Sequence, residues 1–306
     1  MSDPTGIEPF EVVRGKLTGL AYRILGSVAD AEDAVQDTYL KWAQADRDSI
    51  KNPAAWLTTA CTRRCIDLLR SAYRKRTDYV GAWLPEPVHT PIDHPAEAAL
   101  ELDQTLSTAF LLMLERLTPR ERAAYLLREI FDVSYAEIAK TLDVEESACR
   151  KLVSRAKAHI ERPTIRHATP LDRQDRLLAA FREAIREGET TDLSALLSDD
   201  VRLSADGGGK VPSVLEVLEG RDAVSEFMFR KLPVYWQDFD WETADINGTR
   251  GVLMTREGAI QATVTFGFDA TGKVTDVFIV RNPDKLARFG SALAPTVATP
   301  LPGQIH

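Results

Sequence analysis

The hydrophobic pattern of this 306-residue chain changes its period once, and that change limits the folds it can adopt. From Val12 to Arg76, and again from about Leu100 to Arg162, apolar residues recur at helical spacing. After Asp172, helical segments give way to short alternating runs: "WETADI", "GVLMTR", "QATVTFGF" and "KVTDVFIV". The pattern predicts a multidomain protein with an all-α front and an α+β rear.

A stretch without Lys or Arg separates the two helical bodies. Residues 79–105 carry five acids and four prolines, a composition typical of an extended linker. Pro163 and Pro170 bracket a second short connector, and the tail from Gly290 has the composition of a disordered segment. We expect helical domains at 8–78 and 106–163, a linker at 79–105, an α+β domain at 170–289 and a disordered tail at 290–306.

The net charge of −8 argues at first against a nucleic-acid partner, but the charge is segregated along the chain. Residues 1–78 carry 12 Lys and Arg against 11 Asp and Glu, and residues 106–164 carry 10 against 9. The excess of acid lies in the linker and the C-terminal third. Each helical body therefore has room for a basic face.

The sequence gives no sign of export, membrane insertion or a metal site. The N-terminus, "MSDPTGIEPF", is acidic and polar, and no uncharged apolar run has the length of a spanning helix. Three cysteines, Cys61, Cys65 and Cys149, have no histidine within ligand spacing, and the first two are expected as small buried hydrophobes on one helix face. We predict a cytoplasmic protein without a metal, a cofactor or a membrane partner.

One helix is predicted to begin at Asn52, a good N-cap, with Pro53 as its first residue. Its apolar side gathers Leu57, Cys61, Cys65, Leu68 and Ala72. Its other side carries an aromatic residue, three arginines and three further polar groups: Asn52, Trp56, Thr59, Arg63, Asp67, Arg70 and Arg74. Arginine suits phosphates and base edges, and an aromatic ring stacks on an unpaired base. A solvated amphipathic helix explains the same pattern, so this face is either a DNA-binding surface or an ordinary solvated one.

The preceding helix, "SVADAEDAVQDTYLKWAQ", projects an acidic patch. Asp30 is expected to cap it, and Asp33, Gln36 and Asp37 point away from the packed stripe. Such a patch suits a basic protein partner, although acids in a first turn also stabilise a helix by themselves.

The segment from Ser134 to Glu161 has the spacing of a helix-turn-helix. The turn is "DVEES", and small and apolar residues occur where two short helices would cross. On the second helix, the polar residues that face away from Leu152 or flank it are Ser147, Arg150, Lys151, Ser154, Arg155 and Lys157. These groups bond phosphates and read guanine in a major groove.

Across nearly all of residues 10–162, the segments "LAYRILGSVADAEDAVQDTYLKWAQ" and "NPAAWLTTACTRRCIDLLRSAYRKR" and the helix-turn-helix resemble regions 2 and 4 of extracytoplasmic-function (ECF) sigma factors. Three further motifs, "YVGAWLPEP", "DGGGK" and "NPDKL", resemble those of a SigJ-type subgroup with a SnoaL-like C-terminal domain, an α+β cone. The resemblance implies promoter-specific initiation with core RNA polymerase, whose β′ clamp binds the acidic patch and whose β flap contacts region 4.

The resemblance also implies a role for each DNA-facing helix and for the linker. The helix from Asn52 would act on the −10 element, and the second helix of the helix-turn-helix would read the −35 element. The acidic linker would thread towards the active-site channel of the polymerase, a place that attracts nucleic acid.

The glycine cluster "DGGGK" is not a phosphate-binding P-loop, because Val211 stands where that loop needs a hydroxyl. Glycine also lets another backbone approach closely, and we expect a contact surface through which the C-terminal domain regulates the sigma domains in cis. Its predicted members come from the three motifs: Tyr79, Trp83, Leu84, Pro85, Asp206, Gly207, Gly208, Gly209, Lys210, Asn282, Pro283, Asp284, Lys285 and Leu286. Glycines that serve only a bulge in a curved strand are an alternative.

Two other functions fit parts of the sequence. A one-component transcription regulator would pair a helix-turn-helix with a ligand pocket, but would not need the acidic and basic helices of the front body. A catalytic C-terminal domain would need paired acid–base groups, and Asp206 has no evident partner in a stretch without histidine. We therefore predict that the protein is not an enzyme; the sequence leaves open whether the pocket binds a ligand.

Overall fold

A computed structural model describes residues 7–76, 78–90, 106–160, 170–187 and 191–289. The first helical body contains α1 (Glu8–Leu25), α2 (Val28–Gln44) and α3 (Pro53–Arg76). Ser27, rather than Asp30, caps α2, since the Ser27 hydroxyl accepts from the Asp30 N–H at 3.2 Å. The Asn52 side chain accepts from the Ala55 N–H at 3.1 Å at the start of α3, as expected from the sequence.

The second helical body contains α4 (Thr108–Leu114), α5 (Pro119–Tyr125), a π-helical turn (Leu126–Ile130), α6 (Tyr135–Leu142) and α7 (Glu146–Ile160). Reciprocal capping boxes fix the starts of α5 and α6. Asp143 takes a left-handed conformation, with φ of 54°, and ends α6. The helices α6 and α7 form the predicted helix-turn-helix.

The two helical bodies share one continuous hydrophobic core. Arg122 of α5 is 1% exposed and joins them. Its guanidinium donates to the Ile24 carbonyl of α1 at 2.7 Å, to the Tyr73 hydroxyl of α3 at 2.9 Å and to the Glu115 carboxylate at 2.7 Å. A buried charge is tolerated only where it is paired and hydrogen-bonded. Because the partners of Arg122 come from both bodies, it fixes how the two bodies pack together.

The C-terminal body is an α+β domain built on one six-stranded sheet. The strands are β1 (Leu197–Asp206), β2 (Leu218–Glu219), β3 (Asp240–Ile246), β4 (Thr249–Arg256), β5 (Ala259–Phe268) and β6 (Val274–Val280), in the order β2-β1-β6-β5-β4-β3. The helices are α8 (Leu171–Glu187), α9 (Thr191–Leu196), α10 (Arg221–Glu226), α11 (Leu232–Trp236) and α12 (Pro283–Leu286), with a π-helical turn between α10 and α11. The pair β1–β6 is parallel and the other pairs are antiparallel.

The two faces of the sheet have different partners. Val264, Phe266 and Ile279 point into a core that the helices of the domain cover. Phe278 and Val280 of β6 point the other way and pack with Leu84 of the linker and with α4. One face thus builds the domain, and the other covers the sigma-like bodies. Among the described helices, none is long and apolar enough to cross a bilayer.

We predict that Arg122→Leu lowers the free energy of unfolding by about 3 kcal/mol, because it removes a donor from the buried Ile24 carbonyl, from the half-buried Tyr73 hydroxyl and from the Glu115 carboxylate, which is 18% exposed. The matched control is Arg120→Leu, at an exposed position of the same helix. This change should alter the free energy of unfolding by less than about 0.5 kcal/mol. Urea unfolding measures both. Equal losses would show that Arg122 does not hold the two bodies together.

Candidate functional site

The acidic face of α2 is open at its centre. Asp33 and Gln36 are exposed, and Asp30 is half-buried in the first turn. Asp37 is half-buried and accepts from Arg64 Nε of α3 at 2.6 Å. Asp33 and Gln36 are therefore accessible to a partner, and Asp37 already has an intramolecular cation.

Only part of the polar face of α3 is free. Asn52 is exposed, and so are Asp67 and Arg70, which pair at 3.5 Å. Trp56 is half-buried and packs on Trp42 of α2, with ring centroids 5.5 Å apart. The side chain of Arg74 lies outside the described part of the chain.

The middle of this face contacts the helix-turn-helix. Thr59 Oγ1 lies 2.9 Å from Thr141 Oγ1. Arg63 donates from Nε to the Thr141 carbonyl and from Nη2 to the Lys140 carbonyl, each at 2.8 Å. These carbonyls belong to the last turn of α6, where the helix dipole favours a cation. Two of the residues that the sequence assigns to −10 recognition thus hold the second helical body.

The recognition helix α7 presents its polar side to solvent. Its buried side consists of Cys149, Val153, Ala156 and Ile160, whereas Leu152 is only half-buried. The packed face is therefore rotated from the one expected. Five of the predicted DNA-binding residues are exposed: Ser147, Arg150, Lys151, Ser154 and Arg155.

Two cations of α7 pair with acids outside α7, in other parts of the second helical body. Lys157 is half-buried at the flank and pairs with Glu129 at 2.8 Å, so it does not lie at the centre of the polar face as expected. Arg155 lies 3.5 Å from Glu121 of α5 and is 63% exposed. Arg155 thus remains accessible.

The three sequence motifs meet at the Asp206 carboxylate, which is fully buried. Oδ1 accepts from the Tyr79 hydroxyl at 2.6 Å and from the Gly208 N–H at 3.0 Å. Oδ2 accepts from the Leu84 N–H at 2.9 Å and from Lys285 Nζ at 2.7 Å. Parallel pairing of β1 with β6 places Asp206 opposite Val280, so the "NPDKL" segment that follows β6 lies beside it. We call this group of residues the Asp206 cluster.

Other motif residues complete the Asp206 cluster. Asn282 donates to the Tyr79 hydroxyl at 2.9 Å and, with its own side chain, caps the helix that Pro283 begins. Lys285 also bonds the Leu84 carbonyl and lies over the Trp83 ring, 4.4 Å from its centroid. Burial, and then the bond to Asp206, raises the pKa of the Tyr79 hydroxyl, so it stays a proton donor.

The edge of the Asp206 cluster contains an exposed ion pair and a buried apolar contact. Lys210 and Asp284 pair at 2.6 Å at the surface. Leu286 packs with Leu84 in a buried apolar contact.

Each glycine of "DGGGK" faces a close neighbour. Gly208 has φ of 62°, and a Cβ there would lie 2.5 Å from Asn282 Cγ. A Cβ on Gly209, at φ of 69°, would lie 3.2 Å from Val80 of the linker, and one on Gly207 would lie 2.5 Å from the Val211 carbonyl. Two of the three glycines thus allow backbone conformations that other residues rarely adopt, and all three allow close approach.

Glu86 attaches the linker to the first helical body. Glu86 accepts from the Val28 N–H at 2.8 Å, at the start of α2, and its own N–H donates to the Gly26 carbonyl at 2.9 Å. The Tyr22 hydroxyl donates to the Glu86 carbonyl at 2.6 Å. Burial raises the pKa of the Glu86 carboxyl, and the backbone donors at the helix start oppose that shift. Pro85 is buried beside it.

Sequence reasoning missed Asn247, a buried residue at the β3–β4 turn. Its side chain accepts from the Val88 N–H at 3.0 Å and donates to the Tyr22 hydroxyl at 2.7 Å and to the Leu106 carbonyl at 3.0 Å. It joins the linker, the first helical body and the start of the second. The only sequence signal was "INGTR", a turn motif that gives no indication of such partners.

Asp206 does not line the cavity that the described part of the C-terminal domain contains on its helix-covered side. A cavity of about 610 Å³ lies on the helix-covered side of the domain and is lined by Arg182, Gln237 and Trp241 among others. Asp206 lies at the interface with the linker, and both of its carboxylate oxygens accept hydrogen bonds there. The one acid that the sequence singled out is thus in a structural position, away from this cavity.

Comparison with known proteins agrees with this arrangement. Residues 10–75 match the family described as Sigma-70 region 2, and residues 107–160 match Sigma-70, region 4. The chain is 35% identical over 304 residues to the ECF RNA polymerase sigma factor SigJ of Mycobacterium tuberculosis, covering 96% of each chain. It is 29% identical over 277 residues to the probable ECF RNA polymerase sigma factor SigI of the same species, covering 89% of this chain and 92% of the relative.

The structure has a similar neighbour among solved proteins. The crystal structure of the Mycobacterium tuberculosis SigJ superposes with a TM-score of 0.71 at 31% identity, covering 93% of this chain and 99% of that one. The similarity extends over the helical bodies and the C-terminal SnoaL-like sheet domain. The chain belongs to the family of extracytoplasmic-function RNA polymerase sigma factors.

Proposed function

We propose that this protein directs core RNA polymerase to specific promoters and that its C-terminal domain controls this activity in cis. The observation that carries the first part is the exposed polar face of α7, within the sigma region 4 match, which has the form of a helix that enters a major groove. Run-off transcription with core polymerase tests it. Absence of promoter-specific transcripts with the full-length chain and with a chain lacking the C-terminal domain would contradict it.

Contacts of the linker support control in cis. Residues 79–90 bond the C-terminal domain at the Asp206 cluster and Asn247, and they bond the first helical body at Tyr22 and Val28. We propose that the linker extends over 79–105 and that it leaves these sites when it threads into the polymerase. The C-terminal domain then acts by holding the linker, without catalysis and without a cofactor.

The engaged −10 face supports a closed resting form. Thr59 and Arg63 bond the last turn of α6, so the hydrogen-bonding groups they use there are not available to DNA in this arrangement. If they act on the −10 element together with Asn52, Trp56, Asp67, Arg70 and Arg74, the two helical bodies must first separate. Polymerase and promoter DNA would then shift the population towards the open form, because they bind only that form.

The end of the C-terminal domain reaches the polymerase-facing helix. Arg288, two residues after α12, bonds the Glu32 carboxylate of α2, one residue before Asp33. We propose that the β′ clamp binds Asp30, Asp33, Gln36 and Asp37 and competes with this contact, while the β flap contacts the second helical body. A charged contact at the rim of an interface affects the association rate constant more than the total affinity.

Charge reversal tests the polymerase-binding face. We predict that Asp33→Lys weakens binding to core polymerase by roughly tenfold, because it places a cation against a basic clamp surface. Asp222→Lys, at an exposed aspartate of the C-terminal domain, is the matched control and should bind as the wild type does. Fluorescence anisotropy with labelled protein measures both. Similar affinities for the two variants would exclude this face of α2.

Substitutions on α7 test −35 recognition. Arg150→Ala should reduce discrimination at one or two base positions by about 1–3 kcal/mol, as expected for loss of a bidentate contact to guanine. Lys151→Ala should weaken binding to all promoter sequences alike. It should also reduce the salt dependence of the binding constant by the amount expected for about one phosphate contact. Lys151 serves better than Lys157 as this control, since Lys157 is paired with Glu129. Indistinguishable profiles across −35 variants would contradict the assigned face.

Substitutions at two glycines with positive φ distinguish the effect of close approach from the effect of backbone strain. Gly208→Ala would push Asn282 away from Tyr79, whereas Gly220→Ala, at φ of 88°, meets no atom within 4 Å. Each change costs about 1–3 kcal/mol of strain, and Gly220, with ψ of 151°, lies in a region of backbone conformation that is essentially restricted to glycine. We predict that only Gly208→Ala exposes the linker to limited proteolysis and changes run-off transcription. Equal proteolysis and equal transcription for the two variants would show that the glycine cluster has no regulatory role.

A further inference from the structure

An aromatic side chain stands at the base of the recognition helix. Tyr135 is the first residue of α6, immediately after the Ser134 cap, and it is half-buried. The Arg150 guanidinium of α7 lies over its ring, 4.3 Å from the centroid. This contact joins the two helices of the helix-turn-helix on the side that is open to solvent.

Arg150 has a second partner that fixes its direction. Its Nη2 donates to Glu146 Oε1 at 2.5 Å, one turn earlier in α7. The guanidinium is therefore held by a ring from one helix and a carboxylate from its own, while its side chain stays 59% exposed. An arginine that is ordered and accessible has already lost part of the conformational freedom that binding would otherwise remove.

The Tyr135 ring has a second cation of its own. The Arg128 guanidinium lies 5.0 Å from the ring centroid. Arg128 also donates to the Val133 carbonyl at 3.2 Å and to Asp132 at 3.4 Å, in the loop that precedes α6. The ring thus lies between groups attached to the loop and to α7, so its position is fixed from both sides of the motif.

We propose that Tyr135 is a positioning residue for −35 recognition: its ring holds the Arg150 guanidinium in the orientation that reads a base edge. This inference rests on the proposed function, in which Arg150 contacts DNA. It assigns to Tyr135 an effect confined to the bases that Arg150 reads. A phosphate contact by the Tyr135 hydroxyl would act on all sequences alike, since phosphates carry no sequence information.

The test uses the full-length chain, core polymerase and a promoter library randomised over the −35 element, with a fixed −10 element. Transcripts are sequenced to give a preference at each base position. The variants are Tyr135→Leu, Tyr135→Phe, Arg150→Ala and the double variant Tyr135→Leu with Arg150→Ala. Tyr235→Leu, at an exposed tyrosine of the C-terminal domain, is the matched control.

Tyr135→Leu should reduce the preference about twofold to fivefold at the positions that Arg150→Ala affects, as expected for loss of an exposed cation–π contact. Tyr135→Phe should behave as the wild type, because it keeps the ring. In the Arg150→Ala background, Tyr135→Leu should have no further effect on preference. Thermal unfolding is measured for each variant, and Tyr135→Met replaces Tyr135→Leu if the leucine variant fails to fold.

Three results would overturn the proposal. These are an equal loss at all positions, a Tyr135→Phe variant that behaves like Tyr135→Leu, and additive effects of Tyr135→Leu and Arg150→Ala. A wild-type protein with no −35 preference at all is a different result, because it would contradict the proposed function itself.

Discussion

The position of the linker on the C-terminal domain depends on one buried charge, the Asp206 carboxylate. Asp206 has no exposed surface, and an isolated carboxylate in such a place would cost several kcal/mol or more. Its donors come from the linker and the C-terminal domain, through Tyr79, Leu84, Gly208 and Lys285. Removing the linker from this site would leave the carboxylate with Lys285 and the Gly208 N–H alone. This loss supports the proposal that the linker leaves the Asp206 cluster only when another partner offsets it.

Much of the fold follows from local pattern. Helical spacing predicts α1 to α7, the strand-like runs correspond to β3 to β6, and the cap at Asn52 is where the sequence indicates it. The contact between "YVGAWLPEP", "DGGGK" and "NPDKL" was expected because glycines and paired charges in three separate motifs suit a shared surface, and the structure brings these motifs together. The regulatory and binding roles of the individual residues stay predictions.

Other features could not be predicted, for physical reasons. The alternation of Val201 and Leu203 in β1 is preceded by acids that resemble a turn, so the strand was missed. An amphipathic pattern tells which side of α3 is polar, but not that Arg63 donates to the carbonyls at the end of α6. The partners of Asn247 are more than 100 residues distant in sequence, and a turn motif contains no information about them.

The parallel pairing of β1 with β6 also sets the order in which the molecule can be completed during synthesis. Asp206 obtains Lys285 only after the last strand and the segment beyond it have left the ribosome. Domains fold as units, N-terminal first, while the chain grows. Both helical bodies are therefore finished before the contact between Asp206 and Lys285 exists. In the proposed mechanism, a nascent chain would therefore be a sigma factor that its C-terminal domain does not yet control, and a ribosome stalled late in the message would prolong that state.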